Sequence, residues 1–137
     1  MEMVGVTATP YMTLLVLSVV LLLFHILYQG MLTTRELGSA WNAGPRDNEA
    51  KPKGKLAGRA ARASKNLQET YPAFIGLLLA MILTGDTTGW GLFGGTVWLV
   101  ARIVYIPLYL KGIPYIRSLV WLGSLAGLVV MALVLIV

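Results

Sequence analysis

Residues 59–76 read RAARASKNLQETYPAFIG and run directly into LLLAMIL at 77–83. Arg59, Arg62, Asn66 and Glu69 are spaced 3, 4 and 3, so a helix carries them on one stripe. The residues after Pro72 suit only hydrocarbon or a packed core. The apolar run Pro72 to Leu83 is too short to cross a bilayer, which takes about 20 residues. A spanning helix must therefore begin upstream, within the polar stripe. The stripe enters the membrane and needs shelter by protein, because polar groups facing hydrocarbon are penalised. Such a stripe marks a functional site.

The rest of the chain agrees with a membrane protein. Of 137 residues, 57% are hydrophobic and 12% charged, with no cysteine; ordinary globular domains carry about 25% charged residues. Without cysteine there is no disulfide, thiolate metal site or Cys nucleophile. Further apolar stretches run from Pro10 to Leu32, from Trp90 to Leu110 and from Leu119 to Val137. The first lacks a basic segment before it and is too long for the apolar part of a signal peptide, so it reads as a retained helix. The expected fold is an all-α, four-transmembrane-helix up-down bundle forming a single domain over 1–137. Its helices fall at about 10–34, 56–84, 90–111 and 114–136, and a loop at about 35–55 is expected without regular structure. Gly123 and Gly127 form a GxxxG spacing that permits close helix contact.

Charge sets the orientation. Of 11 Lys and Arg, eight lie between residues 33 and 65, whereas GDTTGWG at 85–91 carries none. By the positive-inside rule the long first loop faces the cytoplasm and both termini face away from it. The net charge of +5 reflects this bias. The basic residues flank spans and are not interleaved with aromatics, so they do not point to nucleic acid.

This topology brings polar groups from three helices to one depth. Arg102, Tyr105 and Tyr109 form a stripe on the third helix, and Arg117 and Ser118 open the fourth. A buried ion pair with Glu69 or another acid is the expected structural role of Arg102. Arg59 reads as an interfacial cation, His25 as a packing residue, and no second His or Cys completes a metal site. Arginines with one Glu and hydroxyl donors suit a small zwitterionic ligand: guanidinium forks for carboxylates, Glu69 for an ammonium group, and a further Arg with Ser for a developing thiolate.

The stretch 58–76 also resembles the signature of the MAPEG family, the membrane-associated proteins in eicosanoid and glutathione metabolism. The family pattern R-x-x-R-A-x-x-N-x-x-E-x-x-P-x-F is met by Arg59, Arg62, Ala63, Asn66, Glu69, Pro72 and Phe74. A second block, ARIVYIPLYLKGIPYIRSLVW at 101–121, is similar to the family's third and fourth helices. The resemblance implies a homotrimer with glutathione bound between neighbouring subunits near the cytoplasmic side. It implies glutathione contacts from Arg35, Arg62, Lys65, Asn66, Glu69, Tyr105, Tyr109 and Trp121, with Arg117 and Ser118 acting on the thiol. Lys65 stands where an eicosanoid-forming member has Arg, and Trp121 where one has Tyr, which points away from eicosanoid-specific chemistry. The loop text is closer to prokaryotic members, implying a bacterial inner membrane.

The expected function is a glutathione transferase, with peroxidase activity on lipid hydroperoxides as an extension. The alternative is a non-catalytic lipid-binding or scaffold member of the same family. A channel or transporter subunit is disfavoured by the lack of a selectivity filter or inverted repeat.

Overall fold

The computed structural model describes residues 2–137, with side chains from Pro10 onward. The chain folds as α1 (Glu2–Leu37), α2 (Ser39–Ala43), α3 (Lys55–Thr84), α4 (Trp90–Leu110) and α5 (Ile116–Ile136). There is no strand among the described residues. Four helices are long and apolar enough to cross a membrane: α1 from Pro10, α3, α4 and α5. α3 begins at Lys55, so the polar stripe lies within one of the helices long and apolar enough to cross a membrane.

Outward faces match a lipid surround. Val16, Leu27, Leu83, Ile103, Leu119 and Val129 are all at least half exposed. In water such surface would be an aggregation hazard, whereas against lipid it is the expected exterior. Because lipid is as apolar as the core, the helices associate through close packing and a few hydrogen bonds. On α3 the buried residues Leu67, Tyr71, Phe74, Leu78 and Met81 recur at helical spacing. Phe74 stacks on Trp98 of α4 with ring centroids 3.9 Å apart. Tyr71 joins α1 through a hydroxyl–hydroxyl bond to the buried Ser18 at 2.9 Å.

α4 and α5 meet through glycine. A Cβ on Gly94 would lie 2.6 Å from the Gly127 carbonyl oxygen, and one on Gly127 would lie 2.5 Å from that of Gly94. Gly123, the other half of the expected spacing, has open space around its Cα. The close contact thus pairs Gly127 with Gly94 across the helices and leaves Gly123 out. Gly127→Leu should therefore separate the two helices and cost more than the roughly 1–3 kcal/mol typical of core overpacking, whereas Gly123→Ala should be nearly silent. Thermal unfolding of both variants in detergent is the check; equal losses would refute the assignment.

Two expectations need correction. α1 extends back to Glu2 with Pro10 inside it, because a helix is not bounded by its hydropathy. The first loop is also partly regular: Gly38 and Gly44 bracket the one-turn α2. Arg46 comes soon after it, donating to Asn42 Oδ1 at 2.7 Å and lying 4.3 Å from the Trp41 ring centroid. Glu36 closes the loop by accepting the backbone N–H groups of Lys53 and Gly54.

Asp86 closes the opposite end. It accepts the Tyr11 hydroxyl at 2.7 Å, the Thr88 hydroxyl at 2.7 Å, and the backbone N–H groups of Thr88 and Gly91. Burial opposes its ionisation, but these donors together hold its carboxyl below its ordinary value of 3.8. A depressed carboxyl stabilises the fold fully above its unfolded pKa and loses that contribution as pH falls through the folded one. Asp86→Ala should lower the melting temperature by several degrees at neutral pH, and the gap to wild type should narrow below about pH 4. A gap that stays constant down to acid pH would show that the ionised carboxylate is not responsible.

Candidate functional site

Where α3 begins, α4 ends and α5 begins, a ladder of polar and aromatic side chains connects the three helices. Arg62 and Asn66 are one turn apart on α3, and Arg102, Tyr105 and Tyr109 share one stripe of α4. Arg102 is 0% exposed. Its Nη1 donates to Asn66 Oδ1 at 2.7 Å, and its guanidinium carbon lies 4.7 Å from the Tyr105 ring centroid. Its Nε and Nη2 have no partner among the described residues.

This contact fixes the Asn66 amide. A guanidinium only donates, so the atom facing it must be the carbonyl oxygen, and the NH₂ group is left free to donate elsewhere. The expected Arg102–Glu69 pair does not form. Glu69 comes three residues after Asn66, about 60° short of a full turn, and its exposed side chain makes no hydrogen bond or ion pair with the described residues.

The ladder continues through Tyr105, buried against Arg102, to Tyr109, whose ring centroid is 5.4 Å away. The Tyr109 hydroxyl accepts from Arg62 Nε at 3.2 Å. The Arg117 guanidinium carbon sits 4.8 Å from the centroid of the same ring. One tyrosine thus holds two cations, one by its oxygen and one by its π face, a contact worth about 0.5–2 kcal/mol. These residues border a cavity of about 290 Å³ lined by Arg59, Arg62, Tyr109, Gly112, Pro114 and Arg117. The lining carries three guanidiniums and no carboxylate. Like charges held this closely favour an anionic occupant.

Of the residues expected in a site, the structure therefore joins Arg62, Asn66, Tyr105, Tyr109 and Arg117. Lys65, Glu69 and Ser118 are exposed nearby and make no side-chain bond within the described chain. Trp121 is half-buried on α5, one turn beyond Arg117, with its Nε1 buried and unpartnered. Arg35 is not part of the cluster. It lines a separate groove of about 580 Å³ with Leu27, Met31, Thr34, Ser39 and Asn42. Sequence reasoning set Arg59 aside as an interfacial cation, whereas it borders the cavity and donates from Nη1 to the Leu110 carbonyl at 3.2 Å. Its signal lies in the sequence, three residues before Arg62 on the same stripe. His25 is buried on α1 with Nε2 unpartnered, and no cluster of three metal-ligating side chains occurs among the described residues.

Comparison with known families matches the MAPEG family model to residues 11–137. No curated protein and no solved structure matches the chain.

Proposed function

We propose that this chain, which belongs to the MAPEG family, is an integral membrane glutathione transferase. The family includes glutathione transferases and related enzymes, and four helices here are fit to span a bilayer. The observation that carries the reading is the cavity in which Arg62, Tyr109 and Arg117 converge without a carboxylate. Glutathione brings two carboxylates, an ammonium group and a thiol. Arg62 and the free NH₂ of Asn66 take a carboxylate, and Glu69 takes the ammonium group. Arg117, with the Ser118 hydroxyl beside it, faces the sulfur. Tyr105 and Tyr109 hold the cations in place. Lys65 and Trp121 form the rim, and Arg35 reaches the ligand from a neighbouring copy in a homotrimer.

The chemistry rests on electrostatics. A free thiol has a pKa near 8.5, and neighbouring cations lower it, raising the thiolate fraction at neutral pH. The thiol proton leaves to water. The thiolate then attacks an electrophilic carbon, forming the C–S bond as the leaving group departs with its electron pair. With a lipid hydroperoxide it attacks the terminal oxygen instead: the O–O bond breaks, the alkoxide leaves with the electron pair and takes a proton from water to become the alcohol, and a second glutathione converts the sulfenic acid to disulfide and water. Apolar substrates reach the site laterally from the bilayer, while glutathione enters from the basic, cytoplasmic side, in a bacterial inner membrane whose non-cytoplasmic side holds both termini.

Purified protein should turn over a chromogenic aryl halide with glutathione at a rate well above the uncatalysed reaction. Glutathione binding without turnover of any aryl halide or hydroperoxide would favour the non-catalytic lipid-binding alternative.

A further inference from the structure

Arg59 does more than sit at the interface. The turn between α4 and α5 is held in two halves. On the α4 side, Lys111, Gly112 and Ile113 donate their N–H groups back to Pro107, Tyr109 and Leu108. On the α5 side, Ile116 and Leu119 donate to Pro114 and Tyr115. Tyr115, at the start of α5, sits at φ 63° and provides no side-chain cap. Arg59 reaches this turn from α3. Its Nη1 donates to the carbonyl of Leu110, one of the last carbonyls of α4, which lack helical partners. Its guanidinium packs against Gly112, where a Cβ would lie 2.6 Å from Nη2 and 2.7 Å from Cζ. Gly112 itself is at φ 70°, so glycine here serves both the backbone turn and the approach of the guanidinium.

We propose that Arg59 is a positioning residue: it ties the α4–α5 turn to α3 and so sets where Arg117 points into the cavity. The proposal rests on the thiolate reading of the site. Arg117 lies in the first turn of α5, so any shift of the turn moves it relative to Tyr109 and Arg62.

The test uses the full-length protein in detergent. Arg59→Met keeps the aliphatic stem and removes the guanidinium, and Gly112→Ala displaces the guanidinium from the other side. Amide exchange across residues 111–116 should quicken about tenfold in Arg59→Met, the effect of losing one charge-assisted bond, and by at least as much in Gly112→Ala, where alanine at φ 70° also strains the turn, while exchange around Trp98 stays as in wild type. Bound glutathione should show a several-fold smaller thiolate fraction at neutral pH. The double variant should be no worse than Gly112→Ala alone, because that change already removes the Arg59 contact in addition to straining the turn. Arg59→Lys, which keeps a donor for the Leu110 carbonyl, should recover most of the exchange protection. Wild-type exchange across 111–116 in Arg59→Met would overturn the tie. Faster exchange with an unmoved thiol titration would overturn the positioning of Arg117. If the wild-type protein binds no glutathione, the functional reading fails, and the exchange arm alone still decides whether Arg59 holds the turn.

Discussion

Arg117→Ala is expected to lower glutathione turnover about 10²–10³-fold, the effect of removing one preorganised donor from a developing anion. Arg117 is held against the Tyr109 ring and borders the cavity, so its charge is in place before ligand arrives. Its loss should leave the fold intact, because it is only partly buried and lies in the first turn of α5, at the end of the bundle. The fall should appear mainly in kcat, since the thiolate charge it stabilises develops at the sulfur, while Arg62 and Asn66 continue to hold the carboxylate. Steady-state kinetics with an aryl halide, at saturating glutathione, is the measurement. Unchanged turnover would remove Arg117 from the mechanism and shift the role to Ser118.

The second large effect is structural and then functional. Asn66→Leu should unfold the protein or cost about 3–5 kcal/mol, because it leaves Arg102 as a fully buried cation without an acceptor. Two of its nitrogens already lack partners, so no spare bond compensates. Asn66→Asp should behave differently. A carboxylate there accepts from Arg102 and preserves the fold, yet it has lost the NH₂ donor and places a negative charge beside the ligand. Stability close to wild type with glutathione affinity reduced about tenfold or more is the expected pair of results. Thermal unfolding and calorimetric titration of the two variants separate the roles; loss of stability in Asn66→Asp equal to that in Asn66→Leu would mean that the acceptor on Arg102 is not what matters.

Particular residues show how far the sequence could be read. The short apolar run after Pro72 required a longer helix that takes in the stripe, and α3 is continuous from Lys55 to Thr84. Periodicity placed Arg62 and Asn66 on one stripe and Arg102, Tyr105 and Tyr109 on another, and topology put them at one depth; that the two stripes face each other is seen in the Arg102–Asn66 and Arg62–Tyr109 contacts. Partner choice was not legible. A deep arginine suggests a carboxylate, but helical rotation presents the Asn66 amide and turns Glu69 outward. Nor was the use of glycine legible: the contact pairs Gly127 with Gly94 on another helix, and a spacing within one helix cannot reveal that. Arg59 looked interfacial because its partners, the Leu110 carbonyl and the bare Cα of Gly112, are backbone groups without a side-chain signature. Arg35 was placed in the site by the family resemblance alone, and within the chain it lines a separate groove.

Titration of the purified wild-type protein with glutathione, monitoring heat and thiolate absorbance together at neutral pH, puts the proposed site to the strongest test. Saturable binding with the appearance of thiolate, and loss of that thiolate signal in Arg117→Ala, is the result expected from three guanidiniums around one cavity. No heat and no thiolate at roughly millimolar glutathione, a concentration matching a binding energy of only about 4 kcal/mol, would contradict it.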